Sequence, residues 1–139
     1  MAKIVKLKGV DTVLATGRRK TSVAQVRMVQ QGSGKFSVNA QSLDQFFGGN
    51  LKCIHSAMAP VRLIEEAAGY DFYVKVAGGG LTGQAEAIRH GIARSLAALD
   101  DKKRKAMKKE GFLTRDARMV ERKKSGRPKA RKRFQYSKR

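Results

Sequence analysis

The sequence predicts an α+β fold: a four-stranded, mostly antiparallel sheet with helices packed on it, continued by a long, extended, basic C-terminal tail. Three features carry that expectation. Four short segments between residues 11 and 77 are rich in Val, Thr or Phe, and the last three alternate apolar with polar positions, the period of a half-buried strand. A later segment repeats apolar residues every three or four positions, as a helix lying on a sheet does. The charge is polarised as well: residues 1–100 hold 13 basic and 7 acidic side chains, whereas residues 101–139 hold 18 and 4.

The first two strands are expected at Asp11–Thr16 and Thr21–Val29, where Ala24, Val26 and Met28 alternate with Gln25 and Arg27, and Gly17–Lys20 (GRRK) is the expected link. A turn over Gln31–Lys35, with Gly32 and Gly34, leads to a third strand in which Phe36 and Val38 flank Ser37. Ser42 and Gln45 have capping-box spacing, which starts a short helix with Leu43, Phe46 and Phe47 inward until Gly48 and Gly49 stop it. Asn50–Ala59 gives no legible element. Pro60 suits a first helical position, with Val61, Ile64 and Ala68 forming one face before Gly69. Asp71–Ala77 reads as the fourth strand, antiparallel or at an edge, with Phe72, Val74 and Val76 on one face and Tyr73 and Lys75 on the other.

Ala85, Ile88, Ile92, Leu96 and Leu99 form the helical stripe. Arg89, His90 and Arg94 project from the opposite face, and Glu86 is spaced to pair with Arg89 or His90. Lys102–Lys109 extends this region by a helical turn or two, and Gly111 breaks it. The expected division is a globular domain over residues 1–100 and a basic extension over 101–139.

A formal charge of +20 opposes compaction unless a polyanion neutralises it. Arg122–Arg139 holds ten Lys or Arg and no acid, so it cannot bury enough apolar surface to fold alone. Phe134 and Tyr136 interleave these cations with flat rings suited to stacking on bases. Fully extended, the stretch spans roughly 60 Å at about 3.3–3.6 Å per residue, and its arginines present planar forks that match phosphate oxygens. For Lys3, Lys6, Lys8, Lys35 and Lys52, a solvated face is as good a reading as binding.

Other chemistries fit poorly. MAKIVKLKGV lacks the apolar run of about 7–15 residues of a secretory signal, and no stretch approaches the roughly 20 apolar residues of a membrane span. A soluble protein with no membrane partner is expected. The lone Cys53 permits no intramolecular disulfide, which suits a reducing compartment, and no Cys/His set offers four metal ligands. Cys53 and His55 lack a third orienting residue for thiol chemistry, and a lone Cys is more often a small buried hydrophobe. Gly78, Gly80 and Gly83 spell GxGxxG between a strand and a helix, yet the acid-bearing second strand of a dinucleotide site is missing, since KKRKAMKK follows Asp101. These glycines read as a tight turn. Gly78, Gly79 and Gly80 also make a candidate phosphate-binding turn, because N–H groups at a helix start attract anions. No cofactor, no metal and no enzymatic activity are expected.

Four motifs carry a resemblance: TGRRKTSVA at Thr16–Ala24, GGGLTGQAEAIRHGIARSL at Gly78–Leu96, GFLTRDARMVERKKSGRPKARKR at Gly111–Arg133, and the terminal YSKR. Through them the sequence resembles, over nearly its whole length, the family of small-subunit ribosomal protein nine. The resemblance implies a fold similar to domain 2 of ribosomal protein five. It also implies a place in the head of the small subunit against rRNA and neighbouring head proteins, as a non-enzymatic structural constituent with no homo-oligomer. Carried over by position, the rRNA contacts are Arg18, Arg19, Lys20 and Arg89 on the domain, then Arg115, Arg118, Arg122, Lys123, Lys124, Arg127, Lys129, Arg131, Lys132 and Arg133 along a threaded segment. Ser137, Lys138 and Arg139 become the contacts to the anticodon stem-loop of P-site tRNA. The FLTRDARMVERKK stretch looks bacterial or organellar, which implies a cytoplasmic ribosome or one in an organellar matrix or stroma. The alternative is a free nucleic-acid chaperone or DNA-compacting protein, for which the polybasic tail alone suffices.

Overall fold

The computed structural model describes residues 2–7 and 10–138. Six strands form one sheet: β1 (Lys3–Leu7), β2 (Val10–Arg19), β3 (Ser22–Val29), β4 (Phe36–Val38), β5 (Gln41–Ser42) and β6 (Asp71–Ala77), in spatial order β1-β2-β3-β6-β4-β5. The expected four-stranded sheet is therefore corrected to six. β1 is a short edge strand defined by pairing to β2, and β5 has only two residues, too few for alternation to be read. Neighbours pair antiparallel except β4 and β6, which are parallel. β6 is thus an interior strand between β3 and β4, with Phe72, Val74 and Val76 buried.

The link expected at Gly17–Lys20 is mostly strand. β2 runs through Arg19, and the chain reverses at Lys20 (φ 50°) and Thr21. A second reversal, between β4 and β5, uses Asn39 and Ala40 at φ 49° and 67°, the backbone of a tight hairpin. The Asn39 amide fixes it, accepting from Val76 N–H at 2.9 Å and donating to Val76 O at 3.0 Å.

Between the parallel strands lie α1 (Leu43–Phe47) and α2 (Leu51–Leu63). α1 has the predicted capping box, with Ser42 Oγ accepting from Gln45 N–H and Gln45 Oε1 accepting from Ser42 N–H. Gly48 closes the helix at φ 57°. The segment left unread is α2: Asn50 caps it, and its buried residues Cys53, Ala57, Pro60 and Val61 recur at three- and four-residue spacing. Pro60 lies in its last turns rather than at its start, where its missing N–H breaks a single helical bond. A 3₁₀ turn over Glu65–Gly69 then enters β6.

α3 (Leu81–Leu96) carries the predicted stripe, with Ala85, Ile88, Ile92 and Leu96 buried in the core and Leu99 packed just beyond. Full burial of Ile88, Ile92 and Leu96 contributes about 1.5–3 kcal/mol each. The helix lies close on the sheet because two glycines meet: a Cβ on Gly17 would stand 2.0 Å from Ala87 O and 2.3 Å from Gly91 N. α4 (Asp101–Lys109) starts on the Asp100 side chain, buries Met107 completely and ends before Gly111 at φ 72°. Lys103 ties it to the body through Glu66 (2.7 Å) and the Tyr70 hydroxyl (3.1 Å). Residues 115–124 form neither helix nor strand.

Candidate nucleic-acid interface

The β2–β3 hairpin brings Arg18, Arg19 and Lys20 to one end of the molecule, where their side chains behave differently. Arg18 and Lys20 are exposed. The Arg19 side chain is only 11% exposed, with Nε 2.5 Å from the Glu86 carboxylate and Nη2 2.9 Å from Asp116. Its Nη1 donates to Arg118 O at 2.7 Å. Glu86 therefore pairs across to β2 and not with Arg89 or His90, which corrects the expected one-turn pairing. Asp116 also accepts from the Arg118 guanidinium at 2.8 Å and from Arg118 N–H at 2.9 Å. These bonds to Arg118, with the Arg19 charge, hold its carboxyl well below the usual carboxylate range.

The outer face of α3 grips the chain on either side of it. His90 Nδ1 accepts from Arg18 N–H at 3.2 Å, and Arg94 donates to Thr16 O. Burial, and then the neighbouring Arg94 charge, push the His90 imidazole below its ordinary value, so it is neutral at pH 7 with Nδ1 free to accept. Arg89 is half-buried, its guanidinium 5.6 Å from the centroid of the Phe112 ring.

The glycine turn abuts the hairpin. Gly78 and Gly79 have φ 76° and 66°, and a Cβ on Gly79 would meet Ser22 Oγ at 2.1 Å. Ser22 Oγ donates to Gly78 O at 2.9 Å, which ties this turn to the β2–β3 hairpin. Gly80 precedes α3 with no side-chain cap, which leaves the helix start open to an anion.

Past α4, Arg115, Arg118, Arg122, Lys123, Lys124, Lys129, Arg131, Lys132 and Arg133 are exposed, while Arg127 is half-buried. Arg118 is paired with Asp116, and Arg131 with Glu121, to which its Nε donates at 3.0 Å. Phe134 and Tyr136 are 71% and 84% exposed. Ser137 and Lys138 are exposed too, and Arg139 lies outside the described residues.

Cys53 is buried, and His55 is exposed with Arg62 donating to its Nδ1 at 3.3 Å. Among the described residues no three His, Cys, Asp or Glu side chains gather as metal ligands, and no helix is long and apolar enough to cross a membrane. One surface went unread in the sequence: the sheet face bearing Arg27, Tyr73 and Lys75. Its signal in the sequence is the polar half of the strand alternation, the positions between the buried residues of β3 and β6.

Comparison with known proteins gives a consistent answer. The sequence profile of the family described as ribosomal protein S9/S16 matches residues 17–139. The small ribosomal subunit protein uS9 of Anaeromyxobacter sp. (strain K) is 51% identical over 126 residues, covering 91% of this chain and 95% of that protein. The protein of the same name from Borrelia turicatae (strain 91E135) is 48% identical over 134 residues, covering 96% of each. A profile match over most of the chain, with relatives of this identity nearly end to end, means that the chain belongs to the ribosomal protein S9/S16 family.

Proposed function

We propose that this chain is a structural constituent of the small ribosomal subunit in the cytoplasm, acting by charge and position and not by bond chemistry. Residues 1–100 form the rRNA-binding body, and residues 101–139 form a basic extension whose first helix is anchored in the body by Met107. The exposed Arg18 and Lys20, next to the Gly78–Gly80 turn, meet rRNA phosphates, while Arg19 works from behind by holding the start of the extension. Arg115 to Arg133 thread along rRNA in the subunit head, beside neighbouring head proteins. Ser137, Lys138 and Arg139 reach the anticodon stem-loop of P-site tRNA.

The observation that carries this reading is the asymmetry of charge: the last 39 residues hold +14 of the +20, mostly on exposed side chains. A segment so rich in like charge is stabilised by lying along phosphates. Crosslinking from the tail in intact ribosomes tests location and partner together. Crosslinks to small-subunit rRNA and P-site tRNA are expected. A tail that crosslinks only to its own body overturns the reading, and a chain found mostly off ribosomes or on DNA favours a free chaperone.

A further inference from the structure

The helices cover one face of the sheet, and the opposite face carries a separate cationic surface. Directly paired residues share a face, so the register sets Lys3, Leu14, Arg27, Tyr73 and Ser37 in one row across β1, β2, β3, β6 and β4. In the next row Gln25 stands between Thr16 and Lys75. These side chains line an open groove of about 960 Å³ that Lys35 also borders. Among the described residues lining it there are four cations, Lys3, Arg27, Lys35 and Lys75, and no acid. Asp71, on the same face of β6, is already satisfied: it accepts from the N–H groups of Lys35 at 2.8 Å and Ser33 at 2.9 Å, which hold its carboxyl below the usual range.

Aromatic and cationic groups are combined at the centre of this face. The Arg27 guanidinium lies 4.7 Å from the centroid of the Tyr73 ring, making a flat, positively backed platform. A membrane surface would call for an apolar rim to insert, and Leu14 at 39% exposure is the groove's one large exposed aliphatic residue. A sheet that offers a ring for stacking and cations on both sides of it suits an unpaired nucleic-acid strand.

We infer that this open sheet face is an RNA-binding surface distinct from the tail, taking a single-stranded segment with Arg27, Lys35 and Lys75 on its phosphates and Tyr73 against a base. The inference rests on the reading of the chain as an rRNA-binding protein. The test titrates the full-length chain with a transcript of small-subunit rRNA over a range of salt concentrations, comparing wild type with the double variant Arg27→Gln/Lys75→Gln. Losing two phosphate contacts lowers the log–log salt slope by about 1.4–1.8. Lys52→Gln, a neutralisation of an exposed residue on α2, leaves the slope unchanged. Circular dichroism checks that each variant is folded.

A steep wild-type slope that the double variant retains overturns the sheet-face site and leaves the tail reading intact. A flat wild-type slope overturns the RNA-binding reading itself. A double variant that keeps its RNA slope but loses a protein neighbour in assembled subunits overturns the proposal in favour of a protein partner.

Discussion

Arg19 at the end of β2 and Asp116 in the segment leaving α4 form an ion pair at 2.9 Å, which joins the sheet to the start of the basic extension. The same guanidinium holds Glu86 of α3 and the carbonyl of Arg118. Strand β2, helix α3 and the segment after α4 converge on one planar group. A lysine could not replace it, because a point charge lacks the fork that reaches three partners.

Replacing Arg19 with Gln is expected to destabilise the protein by about 1–3 kcal/mol, the scale of lost hydrogen bonds between charged groups. The amides of residues 112–118 should exchange faster with solvent while those of α3 stay protected. Hydrogen exchange with a urea melt checks both, and Arg19→Lys should recover little of either.

The contact of Gly17 with α3 predicts a severe packing defect. Gly17→Ala places a methyl against backbone atoms of Ala87 and Gly91 that cannot turn aside, so a loss of about 1–3 kcal/mol or more is expected. In Gly91→Ala the new methyl meets a Val26 methyl at 2.6 Å. There the better helix propensity of Ala, about 1 kcal/mol, offsets part of the cost. Thermal melts should rank Gly17→Ala as the more damaging.

Acid should weaken the fold through His90 before the carboxylates titrate. Its folded value lies below the ordinary 6.5, so the unfolded chain takes up the proton first. The stabilisation is fully present above pH 6.5 and is lost as pH falls through the lower folded value. Between pH 7 and about pH 5, wild-type stability should fall more steeply than that of His90→Gln, as followed by urea melts. Asp71, Asp116 and Glu121, all shifted down, act only at lower pH.

Removing Lys138 and Arg139 should leave folding and subunit assembly intact while weakening retention of tRNA in the P site. Filter binding of tRNA to reconstituted subunits measures this. A truncated chain that fails to fold contradicts the division into body and extension.

Elements whose signal is local were legible in the sequence. The stripe of α3, the alternation of β6 and the capping box at Ser42 each depend on residues a few positions apart. The stop at Gly111 is equally local. α2 was missed because its buried stripe runs through Cys53, Ala57 and Pro60 before it reaches Val61, residues whose low hydrophobic contrast hides the period, and because Pro60 looked like a beginning. β1 and β5 were missed because each is too short or too weakly patterned to be read without its partner strand.

The sequence by itself determined the core-facing residues of β3, β6 and α3, the polarity of charge along the chain and the family, since each is written in residue type and order. Only the tertiary structure decided that β6 lies between β3 and β4, that Arg19 turns inward to Glu86 and Asp116, and that Lys3, Arg27 and Lys75 share one sheet face. The reason is physical: which cation finds a carboxylate, and which is left facing solvent, depends on strand register and helix approach. Both are set by contacts between residues far apart in the chain.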